Sequence, residues 1–392
     1  MLINELPDDC LLAIFDAIQD SKDLINCFKV CEKWCNLIVG RTKRVKYLIN
    51  QSYYTPDCVS SYVNPPIDVT CLSKLFPNLR IAELSFPLHK KVPIEDIVKL
   101  VRETESLKGI IYDKYLYFKL KLEKANLEML STRCFDKKLN GIYENVKQFH
   151  LYDCNLGLFE CIAHCFPNLE RLHISKLADL PEDYFEAPVW AKLKIVEINL
   201  HLNSWVGACC SFVFMDRCPA LQSAHIKIEC CEIIFDGSIK LANLQDLVLQ
   251  FVSMLLPKMD FSSEKRYNPI GWDDLQRLMS KFPNLKHLAL RNTYLSDDHI
   301  KQLILILPKL TLLDIRESPG VTQDASNHVR NYCKRYGRSI KFYFKADDKQ
   351  IEADWPQLLN RPDKICRGFD FMEHCFFKSF DNLPLFLDPI DD

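Results

Sequence analysis

Glycine is scarce in this 392-residue chain, with ten in all, and no G-x-S-x-G or Walker-type loop occurs. Nothing therefore marks a nucleophile elbow or a phosphate cradle. Charge of one sign is also lacking. Lys plus Arg number 50 and Asp plus Glu 52, a net of −2, so no domain-scale cationic surface exists for a nucleic acid and none is expected as a partner. The single basic run, Arg41-Thr42-Lys43-Arg44-Val45-Lys46, reads as a solvated helix end. Long apolar runs are missing: the longest compact aliphatic stretch, Leu303 to Leu307, is far short of the roughly 18 residues of a membrane helix. Glu5, Asp8 and Asp9 interrupt the first ten residues, which excludes them as the apolar core of a secretory signal. Together these absences predict a protein of the cytoplasm, the nucleus or both, with no membrane partner.

What is present is ordinary for folded protein, 48% hydrophobic and 26% charged residues. Cysteine is abundant at 18, yet spread singly or as adjacent pairs (Cys209-Cys210, Cys230-Cys231). Cys27, Cys31 and Cys35 recur every fourth residue, as do Cys161 and Cys165, so helical stripes of small buried hydrophobes account for them. A zinc site would want a two-residue gap and a second ligand pair nearby, and neither is evident. No metal and no cofactor are expected.

The first ~45 residues read as three helices. Pro7, Asp8 and Asp9 suit a helix start, and Leu11, Ile14, Phe15 and Ile18 follow on one face. Asp20 or Ser21 caps a second helix through Leu24 and Ile25. The third is predicted to carry Phe28, Val30, Cys31, Trp34, Cys35, Leu37 and Ile38, with Lys29, Glu32, Lys33 and Asn36 opposite. Its apolar arc covers about half the wheel, wider than a single core contact requires. Such a short module has apolar surface to spare. Either the next domain or another protein must cover it.

The run Leu6-Pro7-Asp8-Asp9-Cys10-Leu11-Leu12-Ala13-Ile14-Phe15, followed by Val30-Cys31, Trp34 and Leu37, resembles the F-box over residues 4 to about 42. That family anchors substrate receptors to the Skp-family adaptor of cullin-RING ubiquitin ligases. Cys10 departs from the pattern, where many relatives carry a larger aliphatic residue. The resemblance implies that Leu6, Pro7, Leu11, Ile14, Phe15, Val30, Cys31 and Trp34 make or shape the adaptor interface.

Beyond the module the chain repeats. Phe-Pro-Asn-Leu occurs at 76–79, 166–169 and 282–285, each opening an L-x-x-L-x-L segment. Looser copies are Leu79/Ala82/Leu84, Leu107/Ile110/Tyr112, Val146/Phe149/Leu151, Leu193/Val196/Ile198, Leu221/Ala224/Ile226, Leu244/Leu247/Leu249 and Leu310/Leu313/Ile315. Successive first positions stand 28, 39, 23, 24, 28, 23, 41 and 25 residues apart, mostly near the leucine-rich-repeat period. The two long gaps imply insertions around Tyr115–Gly141 and Ser253–Pro269. Helical return segments are predicted at Trp272–Phe282 and Asp297–Leu307, and Pro77, Pro167, Pro219, Pro283 and Pro308 stop the helices before the next strand. The expected fold is α/β: a three-helix F-box at 1–48, then degenerate leucine-rich repeats at 49–345. They would form a horseshoe solenoid with parallel strands on the concave face and helices on the convex face. An acidic, aromatic tail at 346–392 would cap the solenoid or fold over it. This combination resembles the leucine-rich-repeat branch of F-box proteins.

Alternate strand residues should line an exposed wall of mixed charge, suited to a polypeptide. The candidates for substrate contact are Tyr152, Arg171, His173, Glu197, His225, Lys227, His287, Arg291, Asp314 and Arg316. His150, His173, Glu197 and His225 form a row of competent metal ligands, but with no metal-specific spacing the favoured reading is a solvated binding wall. The expected function is a non-catalytic substrate-recognition subunit of an SCF-type ubiquitin ligase, linking the adaptor, and through it cullin and a RING protein, to a protein substrate. The alternatives are an interaction scaffold without ubiquitin transfer and an enzyme built on the histidine row. Reconstituted ubiquitination separates the first alternative, and metal analysis the second.

Overall fold

The structure, a computed structural model, describes residues 3–50, 55, 57–60, 75–84, 94–112, 126–133, 142–155, 163–178, 189–200, 208–209, 211–229, 232–252, 270–345, 349–355 and 363–390. Two compact units divide the chain, Met1–Phe149 and His150–Asp392.

The first unit opens with α1 (Asp8–Ala17), α2 (Ser21–Phe28) and α3 (Glu32–Thr42). Asp8 and Asp9 lie in the first turn of α1, at the positive end of its dipole. The Asp20 carboxylate caps α2 by accepting from the Lys22 and Asp23 amides at 2.7 and 3.3 Å. The third helix starts later than its apolar pattern predicts. Phe28 ends α2, Val30 lies in the turn, and Cys31 is the N-cap of α3. Part of the wide apolar arc thus belongs to the connection rather than to one helix.

Strands follow: β1 (Tyr47–Leu48), β2 (Cys58–Val59), β3 (Ile81–Glu83), α4 (Ile94–Glu103), β4 (Gly109–Tyr112) and β5 (Met129–Thr132). They pair in parallel in the order β5-β4-β3-β1-β2. Leu48, Ala82, Ile110 and Leu130 stand side by side and buried, one from each repeat. The first of the two long gaps, around Tyr115–Gly141, holds the strand β5, where the spacing implies only an insertion. Leu127, Leu130 and Thr132 complete a repeat whose third position is Thr, so an apolar search passes over it. The segment Ser253–Pro269 lies outside the described residues.

β6 (Gln148–Leu151) spans the boundary between the units. The second unit continues with β7 (Cys154–Asn155), β8 (Arg171–Ala178), β9 (Ile195–Leu200), β10 (Ala208–Cys209), α5 (Ser211–Asp216), β11 (Ser223–Ile228), β12 (Glu232–Ile233) and β13 (Asp246–Phe251). It goes on with α6 (Trp272–Met279), β14 (His287–Arg291), α7 (Asp297–Ile306), β15 (Leu312–Asp314), α8 (Gln323–Tyr336) and β16 (Lys341–Tyr343). β8, β9, β11, β13, β14, β15 and β16 form an open parallel ladder in that order, the α/β repeat arrangement anticipated. Leu172, Val196, Ala224, Leu247, Leu288, Leu313 and Phe342 occupy equivalent registers across it, so the repeat positions read from the leucines are the ones that stack. The asparagines of the repeat openings tie neighbours together. Asn78 donates to the Lys43 carbonyl at 2.8 Å, Asn243 to Pro219 at 2.8 Å and Asn284 to Ala242 at 2.7 Å. Each satisfies a carbonyl at the turn before the preceding strand.

The tail forms α9 (Lys349–Asp354), β17 (Ile365–Arg367), a single π turn at Met372–Phe376, a 3-10 turn at Phe380–Asn382 and β18 (Phe386–Asp388). β17 pairs with β18. Phe371, Phe376, Phe377, Phe380 and Leu387 pack on Ile195, Val248, Ala289, Leu312 and Tyr343, which all point to the same face of the ladder. The tail thus packs on one face of the ladder in its own unit. The ten cysteines whose side chains are described are all free, and Cys58, Cys165, Cys218, Cys366 and Cys375 are buried.

Candidate functional site

Within the first unit, Leu11, Phe15, Trp34 and Ile38 form the module's own core, with the Phe15 and Trp34 rings edge-on at 5.1 Å. Leu6 and Cys31 are half-buried against it. Pro7, Ile14 and Val30 remain outside, Ile14 40% and Val30 55% exposed. The eight residues expected at the adaptor interface thus divide by depth. Leu11, Phe15 and Trp34 hold the helices in place, while Leu6, Pro7, Ile14, Val30 and Cys31 reach the surface. Arg41 anchors the module to the repeats of its unit: its buried guanidinium donates to the Cys58 carbonyl at 3.2 Å, and the Ser60 amide donates to the Gln19 carbonyl at 2.7 Å.

In the second unit, the wall expected to be exposed is largely covered. Arg171, His173, Glu197, His225, Arg291 and Asp314 are buried, because the apolar tail lies over the strand residues between them. Tyr152 is 51% exposed; Lys227, His287 and Arg316 are half-buried. Burial forces the charges to pair. Arg171 donates to Glu197 Oε2 at 2.6 Å and to the Pro384 and Leu385 carbonyls at 2.6 and 3.0 Å. Arg291 donates to the Phe376 carbonyl at 2.7 Å and to that of Lys378. Asp314 takes a fork from its near neighbour Arg316 at 2.9 Å twice, and His287 Nδ1 lies 2.6 Å from Asp246. Lys227 meets Asp381 of the tail at 3.0 Å, and the Phe380 amide donates to Gln250 at 3.0 Å. The tail is therefore held at two arginine stations through its backbone and by phenylalanines between them.

The histidine row packs in an edge-on series. His150 meets His173 at 4.7 Å, and the Phe380 ring fits between His173 and His225 at 5.4 and 5.5 Å. Burial lowers all three imidazoles, His150 to about 3 and His173 and His225 well below their ordinary value. They are neutral at physiological pH. His150 Nε2 is 2.8 Å from Ser175 Oγ. Among the described residues no group of three or more His, Cys, Asp or Glu is placed to hold a metal ion. Burial likewise pushes the Cys58 thiol up to about 11 and raises Cys218 and Cys375 well above the usual range, so none of these is a thiolate nucleophile at neutral pH.

Wall and tail do not meet everywhere. A cavity of about 400 Å³ opens between Tyr152, His173, Ser175, Lys176 and Asn199 on one side and Phe380, Asp381, Leu383 and Leu385 on the other. Ser175 and Asn199 follow from the alternation of the strands, but the tail residues do not. Phenylalanine content signals that the tail is buried, without indicating which of its residues leave a gap.

No curated protein matches the chain. Among solved structures it is similar to a chain of the TLR13-ssRNA13 complex, with 13% identity and a TM-score of 0.31. That match covers 62% of this chain and 40% of the other, so this chain spans well under half of its length. It is also similar to a chain of the yeast Rad7 and Elc1 complex, with 13% identity, a TM-score of 0.32, and coverage of 87% of this chain and 94% of that one. The family model described as F-box-like matches residues 3–42, the stretch that holds α1, α2 and α3. The chain carries an F-box-like domain at residues 3–42.

Proposed function

We propose that this chain is the substrate-recognition subunit of an SCF-type ubiquitin ligase. Its main support is the F-box-like match on three helices whose own core leaves Pro7, Ile14 and Val30 at the surface. Leu6, Pro7, Ile14, Val30 and Cys31 contact a Skp-family adaptor, and Leu11, Phe15 and Trp34 set the shape of that surface. Cullin and a RING protein join through the adaptor, in the cytoplasm, the nucleus or both. In functional terms residues 1–48 are the adaptor-binding module, 49–345 the repeats, and 346–392 a tail that completes the substrate-holding face.

The substrate is a protein held on the second unit, at the accessible residues Tyr152, Lys227, His287 and Arg316. Arg171, His173, Glu197, His225 and Arg291 act from beneath by holding the tail, and Asp314 lies behind them, paired with Arg316. No side chain performs chemistry: the chain raises the local concentration of substrate lysines near the charged conjugating enzyme. The test is affinity purification of the wild type beside an Ile14→Asp/Val30→Asp form. The variant should lose adaptor and cullin yet keep its remaining partners, and a substrate should be ubiquitinated in reconstitution only when the wild-type chain is present. Retention of the adaptor by the variant defeats the proposal.

A further inference from the structure

The cavity beside the tail has a chemistry of its own. Its volume, about 400 Å³, is that of a small-ligand cleft. Tyr152 and Asp381, 51% and 66% exposed, stand at its mouth, and Leu383 and Leu385 supply apolar wall. Deeper in, Asn199 Oδ1 is shielded from solvent without a hydrogen-bond partner, and the buried His173 ring on the same lining has its Nδ1 3.4 Å from Glu197 Oε2. A shielded polar atom such as Asn199 Oδ1 ordinarily has a partner.

The lining carries one cation, Lys176, and one carboxylate. The one carboxylate on it, Asp381, already holds Lys227 at 3.0 Å. A carboxylate guest would meet Asn199 Oδ1 acceptor to acceptor. What the cavity offers is the unpartnered Asn199 carbonyl oxygen, the neutral His173 ring, the Lys176 ammonium, and the hydroxyls of Tyr152 and of Ser175, the latter 2.8 Å from His150 Nε2. A primary carboxamide complements that set, since its NH₂ donates to Asn199 Oδ1 while its carbonyl accepts.

We infer that this cavity is a specificity subsite for an Asn or Gln side chain of a bound peptide. The inference rests on the proposed role of the second unit in holding a protein substrate, and it names the chemistry of that recognition. The probes are blocked tripeptides, N-acetyl-Ala-X-Ala-amide with X as Gln, Asn, Glu, Lys or Leu, titrated into the full chain by NMR. The Gln and Asn peptides should bind about tenfold tighter than the other three, in line with sites built to hydrogen-bond a guest. Asn199→Leu should remove that preference, and Asn199→Asp should move it to the Lys peptide. Tyr152→Ala, at the exposed mouth, should weaken every peptide while leaving the melting temperature unchanged. Equal binding of all five peptides, binding of none, or an unaltered Gln preference in Asn199→Leu overturns the inference. Adaptor co-purification reads the helical module separately. If the adaptor fails to bind while the Gln preference holds, the ligase proposal falls and the subsite stands.

Discussion

Arg171 and Glu197 are buried together, and the guanidinium also donates to the Pro384 and Leu385 carbonyls of the tail. Replacing one partner strands the other charge out of water. Arg171→Met should lower the unfolding free energy of the second unit by about 3–5 kcal/mol, measured by denaturant titration, whereas Arg171→Met/Glu197→Leu should recover much of that loss. His150, His173 and His225 set a pH dependence of definite sign. Each is neutral when folded and has its pKa lowered from 6.5, so below pH 6.5 the unfolded chain binds more protons. Stability is then lost as pH falls through 6.5, continuing toward about 3 for His150. The limiting slope is about 1.4 kcal/mol per pH unit for each histidine. Denaturation midpoints at pH 7.5, 6.0 and 5.0 should fall in that order, and His150→Gln should make the fall shallower.

Helices α1 to α3 divide their apolar residues by depth. Phe15→Ala, inside the module's core, should destabilise it by about 3–5 kcal/mol, while Ile14→Asp should leave its thermal melt unchanged and abolish adaptor capture. Both residues were legible from the i, i+3, i+4 pattern of α1. That pattern does not tell which of two adjacent apolar residues meets the core and which stays at the surface, because both lie on one broad arc. At α8 the backbone decides. Gly337 ends the helix at φ +65° and ψ 26°, the left-handed region, and its amide bonds the Cys333 carbonyl. Gly337→Ala should cost about 1 kcal/mol in chemical denaturation, since an L side chain there crowds its own carbonyl.

For the second unit as a body, the tail replaces solvent over a face bearing Ile195, Val248, Ala289, Leu312 and Tyr343. A chain ending at Lys345 would present that apolar strip together with the uncovered Arg171–Glu197 pair and Arg291 stripped of its tail carbonyls. It should bind a hydrophobic dye strongly and aggregate near neutral pH. A truncated chain that remains soluble and melts as the full chain does would show that the tail is dispensable to the fold.

Leucine spacing alone located nine of the strands, from Leu79/Ala82/Leu84 to Leu310/Leu313/Ile315, because every repeat must place the same residues inward for neighbours to stack. The order of apolar residues after Leu6-Pro7 likewise disclosed the F-box-like helices. Local patterns of this kind are periodic, and periodicity survives in one dimension. The fate of Arg171, His173, Glu197, His225 and Arg291 does not. Their alternation marks one face of a strand whether that face meets water or protein. A segment 85 to 213 residues later in the chain covers it, through arginine bonds to main-chain carbonyls that any sequence could supply. Such long-range burial leaves no period behind, so the closed face and the gap beside Asn199 appear only once the chain is folded.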